Sequence, residues 1–136
     1  MRIVSVSYLA MVADPTAPEL DNASWIPIDD VETKSLAFDH GDILAAGVER
    51  ARSKLEYTTL GTSFCGDEFT MADLRSVYEA AWGTSLDAAN FHRKVMATSG
   101  FVEPTGRTES RGPGRPARTY TAGDADALHP AIVRPA

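Results

Sequence analysis

One short pattern occurs at three places in the chain, and each time it predicts the start of a helix. A large apolar residue precedes a residue that can cap a helix, and a second apolar residue comes four positions after the cap. The three segments are FDHGDI (38–43), FTMADL (69–74) and LDAANF (86–91). The side-chain oxygens of Asp39, Thr70 and Asp87 can accept hydrogen bonds from the first turn, while the apolar pair staples the preceding chain to the helix. Asp73 is placed to complete a capping box with Thr70.

The residues that stop each helix set its length. The first helix is predicted to run to about Tyr57. The second runs to about Trp82 and ends at Gly83, and the third runs from Ala88 to about Ser99, where another glycine follows. Only GTSLD separates the second helix from the third, which predicts a helix-turn-helix.

Two short extended segments after the third helix predict a β-hairpin. FVEPT (101–105) and ARTYTA (117–122) flank GRTESRGPGRP (106–116), which we expect to be a long, mobile and basic tip. A helix-turn-helix followed by such a hairpin has the element order of a winged helix-turn-helix, so we expect the α+β class. Residues from Gly123 onward are predicted to form a frayed tail.

The chain before the helices is predicted to contain strands. RIVSVSYLAMV indicates a strand from Ile3 to Val12 that is apolar on both faces and therefore central in a sheet. After a loop rich in proline and aspartate, WIPID (25–29) predicts a short edge strand interrupted by Pro27.

Composition excludes several classes of protein. The single cysteine, Cys65, allows no internal disulfide and favours a reducing, cytoplasmic setting, where we expect it to be a small buried apolar residue. No apolar run approaches the ~20 residues that span a bilayer, so we expect no membrane association. FDHGD (38–42) brings three potential metal ligands together, but capping by Asp39 explains the motif. We predict no metal, no cofactor and no catalytic residue.

Positive charge is concentrated in one part of an acidic protein. The net charge is −6, yet residues 90–120 carry six basic side chains against Glu103 and Glu109, a local excess of four positive charges. Such a concentration is typical of a surface that binds a polyanion. Charge alone is equally consistent with a solvated basic loop.

The third helix presents groups that suit duplex DNA. Asn90, Arg93 and Lys94 fall opposite its apolar stripe, where an amide can read adenine and the cations can reach guanine or phosphate. His92 lies near the boundary between the two faces and is predicted to pack or to contact a phosphate. The alternative is the polar face of an ordinary surface helix. The tight turn before the helix and the basic hairpin after it favour DNA.

The arginines of the hairpin predict a second set of DNA contacts. Arg107, Arg111, Arg115 and Arg118 supply charge for phosphates and can enter a minor groove. The glycines allow the backbone to approach DNA closely, and the prolines reduce the entropy that the loop loses when it becomes ordered.

Several segments of the chain, taken in order, resemble one known family. LAFDHGDIL, LEYT, EFTMADLRSVYEAAWG, LDAANFHRKV and GRPARTY resemble the C-terminal region of the NrtR-type, Nudix-related transcriptional regulators. VSVSYLAMV and WIPIDD look like the final strands of the family's Nudix-like domain. The resemblance implies four parts. They are a Nudix-like remnant (1–36), a connecting helix (37–60), a winged helix-turn-helix (61–122) and a flexible tail (123–136).

The resemblance also implies a function. Family members join an effector-sensing Nudix-like domain to a winged helix-turn-helix, and many are dimers that repress genes of NAD or sugar metabolism. In several of them ADP-ribose or a related nucleotide is the effector. The chain is therefore expected to be a cytoplasmic repressor that binds double-stranded DNA, forms a homodimer and responds to an ADP-ribose-like nucleotide.

Two other functions stay open on the sequence. One is a Nudix hydrolase of nucleoside diphosphate derivatives, which needs a metal-binding box with a glycine, a glutamate six residues later and a Glu-Glu pair. This chain has no Glu-Glu dipeptide and no glycine with glutamate six residues on, so the box would lie before Met1. The other is an interaction or dimerisation module that does not bind DNA.

We predict that the purified chain does not hydrolyse ADP-ribose in the presence of Mg²⁺ or Mn²⁺. Without the box no metal is held to polarise the phosphate or to activate water. Release of AMP is measured with and without a chelator, beside a hydrolase that has the box. Turnover by this chain that the chelator abolishes would contradict the prediction.

Overall fold

The regular elements are three α-helices, a small antiparallel sheet and three 3-10 turns in the computed structural model, which describes residues 4, 6–13, 15, 16, 18 and 20–135. They fall into two units, residues 1–51 and residues 52–136. The boundary lies within the first helix, α1 (His40–Tyr57).

The described residues of the first unit contain no β-strand. Ile3, where the predicted central strand begins, lies outside the described residues. In the part that can be compared the prediction is wrong, because Val4, Val6 and Tyr8 belong to no strand and are 71–94% exposed. A central strand needs a hydrogen-bonded strand on each side. The described residues of this unit provide no such neighbour.

The edge strand predicted around Pro27 is also absent, since a helical turn replaces it. Ile28–Asp30 form a 3-10 turn directly after Pro27, whose φ is −54°, and a second 3-10 turn spans Thr33–Ser35. Proline has its φ already set for the start of a helical turn. Trp25, before this turn, makes a different contact: its Nε1 donates a hydrogen bond to the carbonyl oxygen of Thr16 at 2.8 Å.

α1 begins at His40, directly after Asp39, the predicted cap. The hydrophobic staple predicted at this end is wrong, because Phe38 is 96% exposed and does not pack on Ile43. The φ of Phe38 is 55°, in the left-handed region that residues other than glycine rarely adopt. Its ring instead lies edge-on to His40, with 6.2 Å between the ring centroids.

In the second unit the predicted capping box is present. β1 (Phe69–Thr70) leads directly into α2 (Met71–Trp82). The backbone N–H of Thr70 donates to Oδ2 of Asp73 at 2.8 Å, and the N–H of Asp73 donates to Oγ1 of Thr70 at 3.2 Å. Gly83 ends the helix with a φ of 65°, a conformation that glycine adopts without strain.

The third helix, α3 (Ala88–Ala97), also begins as predicted. Oδ1 of Asp87 accepts a hydrogen bond from the backbone N–H of Asn90 at 2.8 Å. The helix ends before the predicted Ser99, because Thr98 already has an extended backbone with φ −94° and ψ 106°.

The predicted hairpin is confirmed, with a shorter tip. β2 (Val102–Glu109) pairs antiparallel with β3 (Ala117–Ala122), and β3 lies between β1 and β2 in the sheet. The first residues of the predicted tip, GRTE, belong to β2, so the tip is residues 110–116. The pairing register shifts between Pro104 and Thr108, which marks a β-bulge.

α2, α3 and the sheet enclose one hydrophobic core. The ring of Tyr78 lies edge-on to those of Trp82 and Phe91, with centroid distances of 4.9 and 5.3 Å. Edge-on aromatic pairs are favourable beyond the area they bury. The buried apolar residues are Leu55, Phe69, Leu74, Tyr78, Trp82, Phe91, Val95, Phe101, Val102, Tyr120, Leu128 and Ile132.

After β3 the chain packs on the core, unlike the frayed tail that we predicted. We call residues 123–135 the C-terminal strap. Leu128 and Ile132 are each 1% exposed, and their backbone N–H groups donate to the carbonyl oxygens of Tyr57 and Glu56 at 3.0 Å. The two apolar residues stand among proline, histidine and alanine with no period that would signal a regular element.

The strap also contacts α3. Oγ1 of Thr98 donates to the carbonyl oxygen of Pro130 at 3.1 Å, and Nζ of Lys94 donates to that of Val133 at 3.2 Å. The strap therefore joins the end of α1 to the side of α3.

We predict that Phe91→Ala destabilises the second unit by about 3–5 kcal/mol, because it empties a buried position beside Tyr78. Urea unfolding followed by tryptophan fluorescence measures the change. Met96→Ala, on the same helix but 47% exposed, is the matched control and should change stability by no more than about 0.5 kcal/mol. Equal stabilities for the two variants would contradict the facing of α3.

We predict that Ile132→Ala lowers the free energy of unfolding by about 2–5 kcal/mol, because Ile132 is buried in the core. Val133→Ala is the control, since Val133 is 48% exposed. Thermal unfolding compares the two with the unaltered chain. If both alanine variants have the same melting temperature as the unaltered chain, the strap is not packed on the core.

Candidate nucleic-acid interface

The burial of α3 determines which of its side chains face outward. Phe91 and Val95 lie in the core, at 3% and 0% exposure. Asn90, His92 and Arg93 are consequently exposed. The helix thus presents an amide, an imidazole and a guanidinium beyond the short turn that follows α2.

Asn90 and Arg93 are held together. Nη2 of Arg93 donates to Oδ1 of Asn90 at 2.6 Å, across one turn of the helix. The contact uses one of the five N–H groups of the guanidinium. The others stay directed away from the core, where they can donate to base edges or phosphates.

Lys94 differs from its two neighbours on the predicted face. It is half-buried, and its ammonium donates to the carbonyl oxygen of Val133 in the strap. The structure therefore places Lys94 beside the strap, while Asn90 and Arg93 project into solvent.

Two of the four arginines of the hairpin have no acidic partner in the described part of the chain. Arg115 lies in the tip and Arg118 lies on β3, and both side chains are exposed. Their positive charges are available to a polyanion. They match the sequence prediction of a basic hairpin most closely.

Arg107 is paired with a carboxylate outside the hairpin. Its Nε donates to Oε1 of Glu68 at 3.1 Å, and its Nη2 donates to Oε2 of the same residue. Glu68 directly precedes β1, so the pair joins the β2 strand to the start of the helix-turn-helix.

Arg111 lies between two carboxylates. Its Nη1 donates to Oδ1 of Asp73 at 2.5 Å. Its Nε and Nη2 donate to the two oxygens of Glu109 at 2.8 and 2.9 Å. Because Asp73 belongs to the first turn of α2, Arg111 ties the tip of the hairpin to that helix.

These ion pairs perturb the titration of their members. The hydrogen bonds from Arg107, with a further one from Thr119, lower the pKa of Glu68 to about 2. Partial burial raises the pKa of Asp73, but hydrogen bonds from Arg111 and Thr70 outweigh it and the net shift is downward. Both carboxylates are therefore charged at neutral pH.

Sequence reasoning missed the two acids that face the hairpin. Glu68 and Asp73 lie more than thirty residues before the arginines that they bind, outside the basic segment 90–120. The sequence pattern identifies Asp73 only as a capping residue. No local pattern reports that one of its oxygens caps a helix while the other binds an arginine.

The motif FDHGD (38–42) brings Asp39, His40 and Asp42 together in the chain. Within the described residues no group of three or more His, Cys, Asp or Glu side chains is placed to hold a metal ion. No helix in the described part is long and apolar enough to cross a membrane. Cys65 is half-buried, and burial together with the charge of Asp73 raises its pKa to about 11.

Comparison with known proteins agrees with this geometry. Residues 61–122 match the family described as the NrtR DNA-binding winged helix domain. The chain carries the winged-helix domain of the NrtR family. The ADPR responsive transcriptional repressor NtrR of Acinetobacter baylyi is 34% identical to it over 100 residues, which are 74% of this chain and 39% of the repressor.

Solved structures of the NrtR family share the fold. A crystal structure of Shewanella oneidensis NrtR complexed with a 27mer DNA has a TM-score of 0.52 and 29% identity, over 64% of this chain and 39% of that protein. A crystal structure described as Shewanella oneidensis NrtR has a TM-score of 0.51, also at 29% identity, over 64% of this chain and 38% of its own length. This chain thus spans about two fifths of the length of these NrtR-family relatives.

We predict that Arg107→Gln raises the pKa of Glu68 from about 2 towards its ordinary value, because the hydrogen bonds and the positive charge of the Arg107 guanidinium are then removed. NMR titration of the side-chain carboxyl carbon measures it. Because the folded pKa lies below the unfolded one, this carboxylate stabilises the fold above the ordinary pKa, and the contribution is lost as the pH falls towards 2. Arg115→Gln is the control. The same midpoint in Arg107→Gln and in the unaltered chain would contradict the pair.

Proposed function

We propose that this chain is the DNA-binding part of an NrtR-type transcriptional repressor. The observation that carries the proposal is the exposed face of α3, where Asn90 and Arg93 stand together on a helix that follows a tight turn. A helix in this position of a helix-turn-helix enters the major groove. The likeness to an NrtR structure solved with a 27mer DNA supports DNA as the partner.

We propose different tasks for the exposed polar residues of α3. Asn90 and Arg93 read base edges, because an amide and a guanidinium match the patterns of adenine and guanine. His92 and Lys94 lie beside them and contact the phosphate backbone, Lys94 only after leaving the carbonyl oxygen of Val133. Sequence-specific and sequence-independent binding are thereby carried by different side chains.

The free arginines of the hairpin supply a second contact. Arg115 and Arg118 are exposed and have no acidic partner in the described residues, so they neutralise phosphates beside the groove that α3 enters. Arg107 and Arg111 were predicted to do the same, but their guanidinium groups are occupied by Glu68, Asp73 and Glu109.

The regulated form of the protein is proposed by analogy with its relatives. The Acinetobacter baylyi relative is described as ADPR responsive, and we propose an ADP-ribose-like nucleotide as the effector of the complete regulator. We further propose a homodimer in the cytoplasm. Large apolar side chains at Tyr8, Trp25 and Phe38 are 67–96% exposed, as is common where a second protein surface binds.

We predict that alanine substitutions at Arg115 and at Arg93 weaken DNA binding in different ways. Arg115→Ala weakens binding to the promoter fragment of the protein's own gene and to a scrambled fragment alike, and flattens the log–log salt dependence by about one unit. Arg93→Ala costs roughly 1–3 kcal/mol on the preferred sequence and little on the scrambled one. Fluorescence anisotropy across a salt series measures both.

Arg50→Ala is the control for a general loss of positive charge, because Arg50 is exposed on α1 in the first unit. It should leave both affinities and the salt slope close to those of the unaltered chain. If Arg115→Ala behaves like Arg50→Ala while the unaltered chain binds, the hairpin is not a DNA-binding wing. If the unaltered chain binds neither fragment, the proposed function is wrong.

A further inference from the structure

Two acidic residues beside the start of α2 form ion pairs with arginines of the hairpin. Glu68 pairs with Arg107, and Asp73 pairs with Arg111. We propose that Glu68 and Asp73 are positioning residues that clamp the wing, and that Arg107 and Arg111 act through this clamp without contacting DNA. The inference rests on the proposed function, because the position of the wing matters for binding only if DNA lies against it. We call Glu68 with Arg107 the inner pair and Asp73 with Arg111 the outer pair.

The inner pair lies where the backbone pairing of the hairpin is interrupted. The register of β2 against β3 shifts between Pro104 and Thr108, and Gly106 within this stretch has a φ of 75°. A bulge leaves a residue outside the ladder of hydrogen bonds and bends the strand. The direction of the wing beyond the bulge therefore depends on side-chain contacts.

The carboxylate of Glu68 provides those contacts on both strands. It accepts from Nε of Arg107 on β2 at 3.1 Å and from Oγ1 of Thr119 on β3 at 2.5 Å. Oγ1 of Thr105 lies 2.6 Å from that of Thr119, and it accepts from the backbone N–H of Arg107 at 3.1 Å. One carboxylate thus cross-links the two strands at the bulge.

The outer pair fixes the far end of the wing to α2. The two oxygens of Asp73 have separate roles, since Oδ2 completes the capping box and Oδ1 accepts from Arg111 at 2.5 Å. α2 in turn holds α3 through the contact of Tyr78 with Phe91. The wing is therefore held at two points, by Glu68 directly before β1 and by Asp73 in the first turn of α2. Because α2 also packs on α3, the outer pair connects the wing to the helix that carries Asn90 and Arg93.

Charge balance opposes a role for these arginines as phosphate contacts. Arg111 is accompanied by two carboxylates, so the group as a whole is negative, and Arg107 with Glu68 is neutral. A phosphate would have to displace carboxylates that already match the guanidinium geometry. Arg115 and Arg118 have no such competitor among the described residues.

The test uses the sign of a change in affinity. Glu68→Gln removes a negative charge near DNA, which by electrostatics alone strengthens binding. If Glu68 positions the wing, binding instead becomes weaker, by about threefold to fivefold. Asp67→Asn is the matched control, an adjacent exposed acid without an ion pair in the described residues, and it should bind equally well or more tightly. Stronger binding by both variants would overturn the proposal.

The salt dependence and a double variant give a second readout. Arg107→Gln and Arg111→Gln should weaken binding to the promoter fragment with an unchanged salt slope, whereas Arg115→Gln flattens the slope by about one unit. Glu68→Gln combined with Arg107→Gln should be no weaker than either alone, because both remove the same pair. A slope that falls by about one unit in Arg107→Gln and in Arg111→Gln would overturn the proposal.

A third measurement does not need DNA. Amide hydrogen exchange at residues 106–118 should be faster in Glu68→Gln than in the unaltered chain or in Asp67→Asn, while exchange in α2 and α3 stays the same. If the unaltered chain fails to bind DNA but exchange follows this pattern, the proposed function is wrong and the clamp exists. If exchange at 106–118 is the same in all three proteins, the clamp is wrong.

Discussion

The contact between Tyr78 and Phe91 is the one on which the rest of the second unit depends. It locks α2 to α3 in the core, and the buried Phe91 leaves only one side of α3 open to solvent. Because residues three and four apart share a helical face, fixing Phe91 and Val95 inward fixes Asn90 and Arg93 outward. The chemistry of the surface is thus a consequence of an apolar packing contact.

Electrostatic pairing then divides the basic residues into two groups. In a chain of net charge −6, an unpaired arginine attracts a polyanion and a paired one does not. Arg93, Arg115 and Arg118 have no acidic partner among the described residues, while Arg107 and Arg111 form ion pairs with carboxylates of the same chain. Counting charges along the sequence overstates the positive surface, because it cannot see which charges are neutralised in the fold.

The C-terminal strap adds a second connection between helices. Glu56, at the end of α1, is 6% exposed, and its carboxylate accepts from the backbone N–H of Arg134 at 3.2 Å. A buried carboxylate requires such partners, because its desolvation is costly. The same segment reaches α3 at Thr98 and Lys94. It lies outside residues 61–122, the part that matches the NrtR winged-helix family.

The sequence by itself determined where α2 and α3 begin, that Asn90 and Arg93 lie on the outer face of α3, and that a hairpin follows these helices. Those properties are local, because caps at Thr70 and Asp87 and apolar spacing act within a turn or two of helix. The tertiary structure alone decided three other matters. Phe38 is exposed, Leu128 and Ile132 join the core, and Glu68 and Asp73 bind the wing arginines. The last two depend on contacts between residues far apart in the chain, and their approach is set by how the elements pack.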